Sequence, residues 1–305
     1  MYINNSPIEE VKTFFKQRSL LSRLILINVA IFILASIINL FFWLTQSGND
    51  IVGNHSSSLF ITWFAVPSNV SELLLKPWTL LTYMFLQEKF FHLFFNMVML
   101  YFGGRIFSEY LTSAKLLSVY VWGGLFGALL FVFTYNFFPV FQREVLFSVP
   151  LLGSSAAVIA ILVAIATHVP NYYVNLIIVG RVRLKHLAVF FIIIDVLSIQ
   201  KGNAGGHISH LGGAIWGFAY IWLTKNGFAM NWNFLKMPKF FYASKPRKSY
   251  SNPNYSKRPV TDEEFNRAKI KQQKEIDLIL EKISKSGYSS LTSKEKELLF
   301  KSSNK

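Results

Sequence analysis

The chain has 305 residues, 52% of them hydrophobic and 15% charged, well below the roughly 25% charged that a soluble domain carries, so a water-soluble globular protein is excluded. It has no cysteine, which removes disulfides, thiolate nucleophiles and cysteine metal sites together. Its formal net charge of +15 invites a nucleic-acid reading, but the positions of the basic residues point elsewhere.

In chain order, residues 1–19 form a basic leading segment with Lys12, Lys16 and Arg18. An apolar run at 24–44 follows, too long for a signal peptide and without a clear cleavage site, so it reads as a retained first span. Further candidate spans lie at 90–107, 116–138, 151–169, 187–200 and 208–224, most of them near the ~20 residues that cross a bilayer as helix. Six spans put both termini on one side. That side holds Lys12, Lys16, Arg18, Arg23, Arg105, Lys115, Arg181, Arg183 and Lys185, and the opposite loops hold only Lys76, Lys89, Arg143 and Lys201. Basic residues gather in cytoplasmic loops, so both termini are expected to be cytoplasmic, with anionic lipid rather than nucleic acid as the partner of the charge. The long loop at 45–89 is rich in Leu and aromatic residues and is expected to pack on the helices near the outer interface.

The expected organisation is therefore an all-α, six-helix membrane domain over 20–225, a basic flexible linker over 226–260 and a small helical hairpin over 261–305. Pro, Ser and Lys dominate 242–259. Thr261 with Glu264, and Thr292 with Glu295, each have the spacing of a helix-opening capping box. Phe265, Ile276, Ile279, Leu280 and Ile283 recur at near-helical spacing between them.

Polar residues inside an apolar body are costly and mark candidate sites. Gly153-Ser154-Ser155 opens the fourth span, where a serine either bonds back to its own helix or reacts. Ala156, Ala160 and Ala164 make a stripe of small residues on that span, and on the sixth His210 shares a face with Gly213 and Gly217. A glycine face meeting an alanine face lets two helices approach closely, which brings a serine and a histidine within bonding reach. Ser–His is an activated-nucleophile pair. His92 and Asn96, four residues apart on the second span, can donate hydrogen bonds to a developing oxyanion, or simply join helices. A metal held by His92, His207 and His210 is the weaker alternative, because no H-E-x-x-H motif is present and no carboxylate adjoins them in sequence. Asp195, alone in FFIIIDVLSI, reads as a residue that holds the structure or supports the site from behind, bonding Asn203 or His207, rather than as a third catalytic member.

These boxes, in this order, resemble the rhomboid intramembrane serine proteases, over about residues 20–225. PWTLLTYMFLQEKFFHLFFNMVMLYFGGRIFSE (77–109) is similar to the family's first loop and second span. Gly153-Ser154-Ser155-Ala156 is similar to its G-x-S-G box and Ser209-His210-Leu211-Gly212-Gly213 to its A-H-x-G-G box. Ala156 replaces the usual glycine, Ile159 an aromatic residue found under the histidine in some members, and Thr79 an arginine. The tail resembles an extension of Bacteroidetes-type members. The resemblance implies a serine endopeptidase acting on transmembrane segments, with Ser155 as nucleophile, His210 as base, His92 and Asn96 at the oxyanion, no acid in the catalytic pair and no cofactor. It also implies a bacterial cell membrane as the location. Two rivals stand beside it: an inactive relative that binds transmembrane clients, and a transporter or channel, for which internal repeats and several mid-membrane charges are lacking.

Overall fold

A computed structural model describes residues 7–45, 59–176, 180–228, 276–293, 295–296 and 299. The chain divides into two compact units, Met1–Ser244 and Lys245–Lys305.

The first unit is mostly helical. A short helix α1 (Pro7–Lys16) precedes α2 (Leu20–Thr45), an apolar helix whose one charged residue is Arg23 in its first turn. The loop region beyond it contains α3 (Leu59–Phe64), strand β1 (Val66–Pro67), α4 (Val70–Leu75) and α5 (Thr79–Thr82). Part of this loop packs inward, residues 65–68 being buried, while Leu74 and Leu75 stay exposed; Trp78 donates from Nε1 to the Trp63 carbonyl at 2.8 Å and the two half-exposed indoles stack. The stretch 46–58 lies outside the described residues. Two long helices follow, α6 (Phe90–Tyr110) and α7 (Ser113–Phe137), the latter capped where the Thr112 hydroxyl accepts from the Lys115 backbone N–H. Then come α8 (Gln142–Leu146), β2 (Pro150–Leu151), α9 (Ser155–His168), the ribbon β3 (Tyr173–Leu176) with β4 (Gly180–Arg183), α10 (Leu184–Ser198) and α11 (Ala204–Lys225).

Three helices among the described residues, α2, α6 and α7, are long and apolar enough to cross a membrane. The expectation of six spans is met only to that extent: α11 has the length, 22 residues, but its histidines and glycines make it less apolar, and α9 and α10 are short. Helix α9 has 14 residues and α10 has 15, about 21–23 Å at ~1.5 Å per residue against a hydrocarbon core of about 30 Å. The expectation of an all-α chain is also corrected, because two antiparallel ribbons form. β1 pairs with β2, Val66 opposite Leu151, and β3 pairs with β4, Tyr173 opposite Arg183. The first ribbon shortens the fourth helix: Leu151, read from sequence as the start of a membrane span, is taken with Pro150 into strand pairing instead.

Helix α9 lies at the centre, every residue from Ala156 to Ala166 buried. A helix that is apolar all round belongs in a core, and α9 packs against α6, α7, α10 and α11. Glycines set the closest approaches. A Cβ on Gly123 of α7 would overlap the Ala160 side chain, and one on Gly213 or Gly217 of α11 would overlap the carbonyl of Ala156 or Ala160. On Gly127 it would lie 2.7 Å from the Ala156 Cβ and 2.8 Å from the Ser209 carbonyl. Both partners step by four residues in the same direction, so α9 and α11 run parallel along this seam.

In the second unit the described residues form a helix over 276–286, a turn at Tyr288–Ser290 and helical residues at 293, 295, 296 and 299. Ile279 and Leu291 are buried there. The box at Thr292 forms: its backbone N–H donates to a Glu295 carboxylate oxygen at 2.7 Å, which also receives Lys282 Nζ at 3.0 Å. Those bonds hold the Glu295 carboxyl well below the usual carboxylate range, at about 2, the backbone donor contributing most. The box at Thr261, with Phe265 and the linker, lies outside the described residues.

Candidate functional site

The turn that enters α9 builds the site. Gly153 has φ +121°, a conformation open to glycine and strained for any other residue, and its N–H donates to the Tyr83 carbonyl at 3.0 Å. The missing side chain leaves room for an imidazole: a Cβ on Gly153 would stand 3.0 Å from His92 Cε1 and 3.6 Å from Ser155 Oγ. His92 and Ser155 therefore line one small space.

The two serines part ways here. Ser154 is fully buried and its hydroxyl accepts from Gln87 Nε2 at 2.8 Å. Gln87 Oε1 in turn accepts from Asn96 Nδ2 at 3.2 Å. Asn96 is thus tied into a buried chain of amides, one of its N–H groups spent on Gln87 and the other left over. Ser155, the first residue of α9, is only half-buried.

Across the seam, His210 sits one turn before Gly213, and Gly213 lies on the Ala156 carbonyl next to Ser155. The approach of glycine and alanine faces expected from sequence is what brings these two segments together. Among the described residues no hydrogen bond joins Ser155 Oγ to His210; such pairs often tighten only around a substrate.

The ring of His210 points its Nδ1 at Asp195, 2.8 Å from Oδ1, and His207 Nδ1 reaches the same oxygen at 2.8 Å. Asp195 is 5% exposed and comes from the inward face of α10, which it shares with the buried Leu184 and Ala188. The bond to His207 agrees with the sequence reading. The bond to His210 was not foreseen, and Asn203, the other expected partner, is not hydrogen-bonded to Asp195 among the described residues. Nor does the statement hold that no carboxylate adjoins the histidines. Asp195, His207 and His210 bring one ligand atom each to within 4.8 Å of one another, the one grouping among the described residues with the composition to hold a metal ion, and His92 is not part of it.

Sequence reasoning missed Gln87 altogether. Its only signal is that it is an uncharged amide five residues before His92, in a loop with Glu88 and Lys89 beside it. Asp195 was visible as a lone carboxylate in an apolar run and His207 as a partner, but its bond to His210 was not.

The family model described as Eukaryotic integral membrane protein (DUF1751) matches residues 17–269. A second model, described as Family of unknown function (DUF6576), matches residues 260–305. No curated protein matches the chain. The first match spans most of the chain and overturns two expectations: membership of the Bacteroidetes-type rhomboid intramembrane serine proteases, and a bacterial cell membrane as the location. The resemblance rested on short boxes whose glycines and small residues have a plain physical cause in this fold. Gly213 and Ala156 are what a backbone-to-backbone seam between α9 and α11 demands, whatever chemistry is built on it.

Proposed function

The chain belongs to that family of eukaryotic integral membrane proteins, and from this premise we propose that it is a membrane-embedded serine hydrolase, an endopeptidase acting on transmembrane segments of other proteins. The observation that supports this reading most directly is the docking of Gly213 on the Ala156 carbonyl, which sets His210 against the turn bearing Ser155.

Each residue then has a role. Ser155 Oγ attacks a peptide carbonyl while His210 Nε2 removes the hydroxyl proton. His92, beside Gly153, and the spare N–H of Asn96, together with backbone N–H groups at the start of α9, donate to the oxyanion. His210 then passes its proton to the departing amine, and water hydrolyses the acyl-enzyme in the reverse sequence of proton moves. No cofactor takes part in these steps. Six helices, α2, α6, α7, α9, α10 and α11, cross the membrane in this reading, with both termini on the side rich in Lys and Arg. The shortness of α9 supports it, since a helix of about 21 Å leaves Ser155 below the surface of a ~30 Å core, where only a water-filled cavity can serve it. Substrate segments need to unwind to expose a carbonyl.

The test is fluorophosphonate labelling of the purified chain, together with cleavage of a reconstituted transmembrane reporter. Ser155→Ala and His210→Ala are expected to abolish both; Ser154→Ala keeps labelling, because its hydroxyl is sealed against Gln87. An unlabelled Ser155 in the wild type, with the reporter uncut, sinks the hydrolase and leaves a protein that binds transmembrane clients without cleaving them.

A further inference from the structure

We propose that Asp195 is the positioning residue for His210, fixing which ring nitrogen carries the proton and so making Nε2 the base that faces Ser155. The inference rests on the hydrolase reading and deepens it, by adding a third member to a pair expected to work without an acid.

A carboxylate can only accept hydrogen bonds, so a ring nitrogen 2.8 Å from Asp195 Oδ1 is a donor. The Nδ1 of His210 therefore carries the proton, and a neutral imidazole has only one. Its Nε2 is left with a lone pair. The same argument holds for His207, whose Nδ1 donates to the same oxygen. The two rings stand nearly perpendicular, 84° apart with centroids at 5.9 Å, so the one carboxylate fixes both in different planes. Only His210 lies one turn from the Gly213–Ala156 contact, which makes it the one aimed at the α9 turn.

Burial makes the arrangement more than incidental. α10 turns Phe190, Ile193, Ile194 and Leu197 outward, each more than 40% exposed, and Asp195 inward at 5%. A buried ionised carboxylate costs several kcal/mol unless it is fully partnered, and the two imidazole N–H groups are the partners present. During attack His210 gains the serine proton at Nε2 and becomes an imidazolium. Its Nδ1–H stays where it is, now bonded to an anion 2.8 Å away, which stabilises the charge without taking the proton. Fixing tautomer and plane in advance also removes the reorganisation that a free ring would need at that moment.

A metal ion is the competing occupant of this group of side chains. The geometry favours hydrogen bonds over it. Both N–O separations are 2.8 Å, the length of an N–H···O bond and shorter than the ~3.4 Å between ligand atoms of a tetrahedral zinc site with bonds of about 2.0–2.1 Å.

The experiment uses the full chain in nanodiscs, with ¹⁵N-labelled histidine, and reads two things: the imidazole nitrogen shifts of His210 and the rate of fluorophosphonate labelling. In the wild type, His210 is expected to be protonated at Nδ1 with Nε2 bare. Asp195→Asn should lose that tautomer and slow labelling by about 10²–10⁴-fold, with unchanged thermal unfolding. Asp195→Glu, which keeps the acceptor, should recover part of the rate. Overturning results are a proton on Nε2 in the wild type, or a folded Asp195→Asn chain that labels at the wild-type rate. A third is displacement of both Nδ1 protons by micromolar zinc with chelator-sensitive labelling, which would assign the group to a metal. A wild type that keeps the Nδ1 tautomer yet never labels defeats the hydrolase reading instead, so the two failures are told apart.

Discussion

Helices α2 and α9 are both strongly apolar, and the fold uses them in opposite ways. In α2 the first two turns and a few later residues are buried, while Ile33, Leu34, Ile37, Phe41 and Trp43 are half or more exposed. In α9 nothing between Ala156 and Ala166 reaches the surface. What separates them is the size of the side chains. α9 presents Ala156, Ala160 and Ala164 on one face, which lets the glycines of α7 and α11 meet its backbone, and α2 presents Ile, Leu, Phe and Trp, which hold neighbours away. Apolarity marks a segment for the membrane. Smallness decides whether it faces protein or lipid, because in lipid packing rather than water exclusion drives helices together.

The strongest way to break this comparison is Gly213→Ala. Its new methyl meets the Ala156 carbonyl, so the seam has to open, at a cost on the order of 3 kcal/mol, and His210 moves away from Ser155. Unfolding in detergent, followed by thermal aggregation, should show the loss of stability, and labelling should vanish with it. A wild-type melting temperature for Gly213→Ala would mean that the seam is looser than the structure has it.

Gln87→Ala tests the polar end of the same region. It strands the Ser154 hydroxyl and the Asn96 amide, and leaving a buried polar group unpaired costs about 1–3 kcal/mol. Asn96 also loses its anchor, so cleavage of the reporter should slow by about tenfold while Ser155 still labels. Equal loss of labelling and cleavage would argue that Gln87 only holds the fold. At the other extreme, Ile37→Ala on α2, where the side chain is 59% exposed, should change stability by no more than about 0.5 kcal/mol. A large effect there would reveal a partner on the outer face of α2.

Much of this was legible in the residues. The small faces of α9 and α11 and the box at Thr292 each depend on neighbours within one or two turns, and local spacing exposes them. That Ser155 and His210 flank this seam was legible for the same reason, since each stands at a fixed offset from a small-residue stripe that must meet another; the turn at Gly153 was not, because 151–169 reads as one apolar span. Of the partners of Asp195, His207 was legible and His210 was not, because α10 and α11 are joined by a turn whose geometry, with Gly202 at φ +115° and Asn203 at φ +51°, sets which of two histidines the carboxylate can reach; it reaches both. Gln87 was hidden because an amide in a loop acquires meaning only from what surrounds it. The boundary of the fourth span went astray where Leu151 left it to pair with β1, a choice made by residues more than 80 positions earlier.

By itself, then, the sequence determined that the chain enters a membrane and where small residues let backbones touch, since both follow from composition and period. Only the tertiary structure decided that Ser154 is sealed and Ser155 open, that Gln87 holds Asn96, and that one buried carboxylate orients two imidazoles. The reason is that a hydrogen bond between distant residues depends on an approach of a few tenths of an ångström, and that distance is fixed by the packing of whole helices.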